Sequence, residues 1–187
     1  MAVPRPHIRF ANEDYQPLPE SMDKRYELLS GDPLTVPVPA VEHQRASRKL
    51  EMRLVAFVEK HRLGEVFHAP LDVVLGQDGG RDVVHPDVLF ISDACRHIVT
   101  PKEIPGAPGL VVEILSPDTE ERDRKYKKAL YGRHQVQEFW LVDPPAKAIE
   151  IYRLTRTGWK TVGVFNGAQA VHSPLWPELS LRPEMIF

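Results

Sequence analysis

Glu113 stands among apolar residues in the stretch LVVEILSPDTEERDRKYKKALY, residues 110 to 131. Strand alternation places Val111, Glu113 and Leu115 on one face and Val112 with Ile114 on the other. Both faces are apolar, so this carboxylate cannot simply point at bulk water from mid-sheet. A buried ionised carboxylate is costly unless it is paired, hydrogen-bonded or bound to a cation. An arginine partner, a backbone cap or a raised pKa would meet that requirement, and so would a metal ion.

A second carboxylate, Asp87, follows Pro86 in HPDVLFI and opens another apolar strand. Proline cannot donate to a ladder, so Pro86 marks the first residue of that strand or an edge. Antiparallel pairing with residues 109 to 115 would bring Asp87 and Glu113 to one end of the sheet. A helix predicted from about 119 to 133, opened by a capping box from Asp118 to Glu121, starts just beyond Glu113. Asp123, Lys127 and Tyr131 recur on one of its faces, and the backward tilt of helical side chains lets Lys127 reach the two carboxylates. The same helix also reads as a surface salt-bridge stripe, because EERDRKYKK is rich in charge. Two carboxylates and an ammonium at one sheet end select a hard cation such as Mg²⁺, with Mn²⁺ able to substitute. Such a cation keeps several waters and takes phosphate oxygens as further ligands, which suits phosphodiester hydrolysis.

The elements that must position these groups can be read from periodicity. RYELLSGDPLTVPV, residues 25 to 38, has two short β-prone runs around a Gly-Asp-Pro turn and predicts a hairpin. Ala46, Leu50, Leu54, Phe57, Val58 and His61 recur at helical spacing from Glu42 to Leu63, with Gly64 as a stop; Arg45, Arg48, Arg53, Glu59 and Lys60 form the solvated face. Strands are predicted at 65–69, 72–75, 82–91 and 109–115, and later in EFWLVD, IEIYRL and KTVGVF. This order predicts an α+β fold, with helices flanking a mixed, largely antiparallel sheet.

The 187 residues suffice for one well-cored domain, 1–187, in which the proline-rich residues 1–22 form an extended arm. An apolar share of 42% and a charged share of 27% are those of an ordinary globular chain. There is no apolar signal core and no long apolar run, so the expectation is a cytoplasmic protein without a membrane partner. The lone Cys95 excludes an internal disulfide and a thiolate-rich cluster. A net charge of −2 means that any nucleic acid must be held by a local patch or through bound metal. No HExxH and no paired helical histidines are present, which argues against zinc; His85, two residues before Asp87, reads as a neutral strand-end histidine.

The ordered set HPDVLFI, VVEILSP, the Asp-x3-Lys-x3-Tyr helix and EFWLVDP resembles the PD-(D/E)XK nuclease superfamily, and most closely its Uma-type restriction endonuclease family. The resemblance runs from residue 25 to 154. It implies a restriction-endonuclease-like core and metal-dependent cleavage of nucleic acid, DNA in the first place, with a homodimer as a modest expectation. By motif position, Asp87 and Glu113 are the metal-binding and catalytic acids. The lysine usual in the superfamily two residues after the glutamate is here Leu115, and Lys127 on the next helix is its counterpart; Lys125 and Lys128 are the alternatives, on other faces of the helix. Glu27 in the opening hairpin adds a further carboxylate. His43 falls where the family often has a histidine, as a base, a phosphate contact or a cap.

Two other functions remain open on this reading. The displaced lysine and the mildly acidic charge suit a catalytically inactive nucleic-acid-binding or assembly module, and a phosphohydrolase acting on small nucleotides is a third possibility.

Overall fold

The computed structural model describes residues 25–29, 32–36, 38–76 and 82–187. The predicted arm, 1–22, lies outside the described residues. Two sheets form in place of the one expected. The first has the order β2-β1-β5-β4-β7, from β1 (Arg25–Leu29), β2 (Asp32–Val36), β4 (Asp72–Leu75), β5 (Asp82–Val84) and β7 (Glu103–Pro105). The second has the order β11-β10-β9-β8-β6-β3, from β3 (Gly64–His68), β6 (Val88–Ser92), β8 (Leu110–Ile114), β9 (Glu138–Asp143), β10 (Ala148–Thr155) and β11 (Gly158–Asn166). Pairing is antiparallel except for β4 with β7 and β8 with β9. The α+β class and the opening hairpin β1–β2 are as expected.

The run 82–91 is not one strand. Its first part, β5, pairs with β1 and β4 in the first sheet, and its second part, β6, pairs with β3 and β8 in the second. Pro86 brings no N–H to a ladder, and the backbone leaves one sheet and enters the other across residues 85–87. Asp87 therefore sits at the crossing point between sheets.

The second sheet is the central layer. Helix α1 (Val41–His61) packs Ala46, Leu50, Leu54 and Val58 onto one face of it, against Val112, Ile114 and Trp140. The exposed face of α1 carries Arg45, Arg48, Arg53, Glu59 and Lys60 as expected. The helix ends on Arg62 in the left-handed region, followed by Gly64 at φ 149°, where a Cβ would stand 2.1 Å from the carbonyl oxygen of Ile91. The opposite face of the sheet, including Val111 and Leu115, shares a core with Val73, Val84 and Ile104 of the first sheet. Strand alternation thus turns Glu113 toward the first sheet and away from α1.

Parallel strands β8 and β9 need a crossover, and α2 supplies it. Its first part, Arg122–Lys127, is π-helical and its second, Lys128–Arg133, is α-helical. The helix does not open on an Asp118 capping box. Its first turn is closed by the N–H groups of Thr119 and Glu120 donating to the Ser116 carbonyl, with Ser116 Oγ 3.0 Å from Thr119 Oγ1.

Residues 167–187, which carry little periodicity, lie over the α1 side of the core through Val171, Trp176, Leu181 and Ile186. They are anchored by the fully buried Glu138 of β9, which accepts hydrogen bonds from Trp140 Nε1, Ser173 Oγ and the Leu175 N–H.

Candidate active site

Four chain segments converge on a cleft lined by Glu27, Asp87, Glu113, Asp123 and Lys127. Glu27 comes from β1, Asp87 from the crossing before β6, Glu113 from β8, and the other two from α2. The antiparallel register Val88↔Val112 brings Asp87 to the Glu113 end of β8, and the Ile114 N–H donates to Asp87 Oδ2 at 2.7 Å.

Lys127 is the hub. It is 2% exposed, with Nζ 3.0 Å and 3.1 Å from the two oxygens of Glu113, 2.8 Å from Glu27 Oε1 and 3.8 Å from Asp123 Oδ1. Tyr131, fully buried, donates its hydroxyl hydrogen to Glu113 Oε1. Asp123 accepts from Thr119 Oγ1 at 2.7 Å, and Arg122 lies 3.6 Å from Glu27 and 3.5 Å from Asp123.

The π-helical segment accounts for this alignment. In an α-helix each four-residue step advances about 40° around the axis. A π turn is wider and precesses the other way. The step from Asp123 to Lys127 runs through π-helix and that from Lys127 to Tyr131 mostly through α-helix, so the two drifts oppose each other. All three side chains point into the same interior, and the surface-stripe reading of this face does not hold.

Four carboxylates share two fixed cations, and the protonation equilibria reflect that surplus. Burial lowers the Lys127 pKa, but Glu113, Glu27 and Asp123 outweigh it, so the ammonium is held protonated. Burial pushes Glu113 up; Lys127 opposes this, but Asp123, Asp87 and Glu27 add to it, and the carboxyl lies well above its usual range. Asp123 is also raised, chiefly by burial. Glu27 goes the other way, because Lys127, Arg122 and the His85 N–H outweigh its burial.

His43, on the first turn of α1, places Nε2 3.2 Å from Asp87 Oδ2. Burial lowers its pKa, but the hydrogen bond and charge of Asp87 raise it further, so the imidazole is biased toward the charged form. His85 is spent structurally: its N–H holds Glu27 and its Nε2 lies 2.7 Å from Asp72 Oδ1. Lys125 pairs with Glu121 at 3.0 Å, and Lys128 lies over the Tyr152 ring, so neither turns to the cleft.

All five residues expected from the sequence, Asp87, Glu113, Lys127, Glu27 and His43, thus lie along one cleft. Sequence reasoning placed Asp123 and Tyr131 on the lysine's helical face without giving them a part in the site, and it missed Arg122 and Thr119. Nothing in the spacing pointed to those two, because they lie on the π-helical turn or just before it.

Among the described residues, no group of three or more His, Cys, Asp and Glu side chains is arranged as a metal cage. The donor set still suits a hard cation. Among the described residues, Glu27 Oε2 and Asp123 Oδ1 have no hydrogen-bond partner and face the Arg122 guanidinium at 3.6 Å and 3.5 Å. Four carboxylates against Lys127 and Arg122 leave surplus negative charge that a further cation would offset. Mg²⁺ binds through one or two carboxylates plus water and substrate oxygens, so a missing cage does not count against it.

A profile of the family described as "Uma2: Putative restriction endonuclease" matches residues 12–184. The chain belongs to this family. The fold of this Uma2-family chain is also similar to a crystal structure described as "a putative nuclease belonging to DUF820" from Anabaena variabilis ATCC 29413. The TM-score is 0.77 at 23% identity, over 95% of this chain and 97% of that one. No curated protein matches the sequence. Family membership agrees with the resemblance carried by HPDVLFI and VVEILSP, and the Asp87, Glu113 and Lys127 cluster lies within the matched residues.

Proposed function

We propose that this protein is a metal-dependent nuclease that hydrolyses phosphodiester bonds of nucleic acid, DNA in the first place, with Mg²⁺ as its ion and Mn²⁺ able to replace it. The observation that carries this reading is the convergence of Asp87, Glu113 and the buried ammonium of Lys127 at one cleft, in a chain of a restriction endonuclease family. Asp87 and Glu113 are the residues that would hold the ion. When bound, it would acidify a water molecule and offset charge developing at phosphorus.

The chain's own groups do the rest. Lys127 stays protonated, so it does not take the proton from the attacking water; it acts by charge, keeping Glu113 oriented and favouring the extra negative charge of the transition state. Tyr131 and the Ile114 N–H fix the rotamers of Glu113 and Asp87. His43, with its imidazole biased to the cationic form, stands on Asp87 at the cleft wall, where a phosphate oxygen can be met. Glu27 holds the ammonium from the opposite sheet.

The test is cleavage of single- and double-stranded DNA and RNA with Mg²⁺ or Mn²⁺, beside calorimetric titration of the metal alone. Cleavage that needs the metal and is abolished in folded Asp87→Asn and Glu113→Gln supports the reading. A folded protein that neither binds metal nor cleaves any of these forms refutes it.

One observation favours the second reading, a binding or assembly module without hydrolysis: both oxygens of Glu113 are already hydrogen-bonded to Lys127 and Tyr131. Salt-sensitive nucleic-acid binding, unchanged by the same substitutions and unaccompanied by cleavage, would select it. A homodimer, the assembly proposed for the active form, is checked by sedimentation equilibrium.

A further inference from the structure

The floor of the cleft is acidic, with Glu27, Asp87, Glu113 and Asp123 all bordering it. A polyanion entering it meets like charge, so some cation must be free to meet the polyanion. Three arginine or lysine side chains line the cleft: Arg122, Lys127 and Arg48. Arg122 is committed to Glu27 and Asp123, and Lys127 to Glu113 and Glu27.

Arg48 differs from both. It is exposed on α1 and forms no ion pair with any described residue. Its natural intrahelical partner is Glu51, three residues on. Glu51 is drawn off instead, its Oε1 lying 3.1 Å from Nδ1 of His68 on β3. The guanidinium is thereby left to an outside ligand. Gln44, one turn back from Arg48, and Ser47, which adjoins it, line the same wall and add neutral hydrogen-bonding groups. At 1.5 Å per residue, Arg48 lies about 7.5 Å along the helix from His43. That is about two steps of strand rise at 3.4 Å each.

We propose that the Gln44, Ser47 and Arg48 face of α1 holds a backbone phosphate of a nucleic-acid strand, flanking the phosphate that sits at Asp87 and Glu113. Arg48 is the anchor, because a planar guanidinium meets two phosphate oxygens at once. This rests on the nuclease reading, and it is tested without turnover.

A fluorescently labelled short DNA duplex and the matching single strand are titrated by anisotropy in EDTA over a range of salt. Arg48→Ala is expected to weaken binding about tenfold and to make the dependence of log affinity on log salt shallower by about one unit. Arg48→Lys should keep the slope. Arg156→Ala, on the exposed β10–β11 turn at the sheet edge away from β3, removes the same charge and should change neither. Equal behaviour of Arg48→Ala and Arg156→Ala overturns the proposal, as does a wild-type protein that binds neither probe. Displacement of the duplex by inorganic phosphate, at an ionic strength where chloride has no such effect, also overturns it in favour of a small-phosphate site. Metal-dependent cleavage with an unchanged Arg48→Ala slope removes this surface and keeps the nuclease; the slope change without any cleavage does the reverse.

Discussion

Lys127 Nζ lies 3.0 Å and 3.1 Å from the two carboxylate oxygens of Glu113, and both residues are almost wholly buried. Since the same ammonium reaches Glu27 at 2.8 Å, it ties a strand of each sheet to the helix between β8 and β9. Removing one partner of a buried ion pair leaves the other uncompensated, at a cost of about 3–5 kcal/mol. Lys127→Met should lose stability of that order in urea unfolding, and Glu113→Gln in the same chain should restore part of it. An unchanged unfolding midpoint would mean that the ammonium is not what joins the sheets.

Tyr131→Phe keeps the ring in its core, beside Phe139 at 5.4 Å, and removes only the hydrogen bond to Glu113. The expected loss is about 1–3 kcal/mol of stability. For a nuclease, kcat should fall while KM changes little, because the tyrosine orients a group in the site and does not touch the substrate. A proportionate rise in KM alone would contradict that role.

Asp123 has a definite pH signature in the metal-free protein. Its folded pKa is raised above 3.8, chiefly by burial, so the native state holds its proton more tightly than the unfolded chain does. By linkage, stability from this group is greatest below pH 3.8 and is lost as pH rises through the folded pKa. Asp123→Asn removes that loss. Stability measured by denaturant at a series of pH values should therefore fall less steeply above pH 3.8 in the variant than in wild type. A steeper fall would mean that Lys127 and Thr119 outweigh burial.

Glu138 gives a contrasting case, a buried carboxylate with no part in the cleft. Glu138→Ala strands the Trp140 indole N–H, the Ser173 hydroxyl and the Leu175 N–H at about 1–3 kcal/mol for each donor that finds no water. Thermal unfolding should drop markedly, while cleavage per folded molecule stays at the wild-type level. Selective loss of cleavage would place Glu138 in the functional machinery.

Much of the site was legible because its chemistry runs against its surroundings. Glu113 in an apolar strand and Asp87 after Pro86 are local contradictions that periodicity exposes, and the helical spacing of Asp123, Lys127 and Tyr131 is a local property as well. Antiparallel pairing of the Asp87 strand with 109–115 was the condition on which the sequence brought Asp87 to Glu113, and β6 pairs with β8 accordingly. No helix among the described residues is long and apolar enough to cross a membrane, in keeping with the absence of long apolar runs.

Other features depend on contacts between distant segments. Whether 82–91 stays in one sheet is decided by which strands are available on each side of Pro86, and β1 and β4 claim β5 while β3 and β8 claim β6. The segment 167–187 has no periodicity because it is held by scattered apolar side chains and by one carboxylate from β9.

By itself, then, the sequence determined which groups must be accommodated: two carboxylates at strand ends, a third in the opening hairpin, a histidine on α1 and a lysine moved from the strand to the helix. Local periodicity suffices for Asp87, Glu113 and the helical face of Lys127, since it depends on residues a few positions apart; Glu27, His43 and the lysine's shift from the strand came with the family resemblance. Only the tertiary structure decided how their charges combine. The crossing at Asp87 brings two sheets together, and the π-helical turn brings Lys127 into line with Asp123 and Tyr131. Burial in that common interior makes one ammonium serve three carboxylates, leaving Glu113 raised, Glu27 lowered and Arg48 free at the rim.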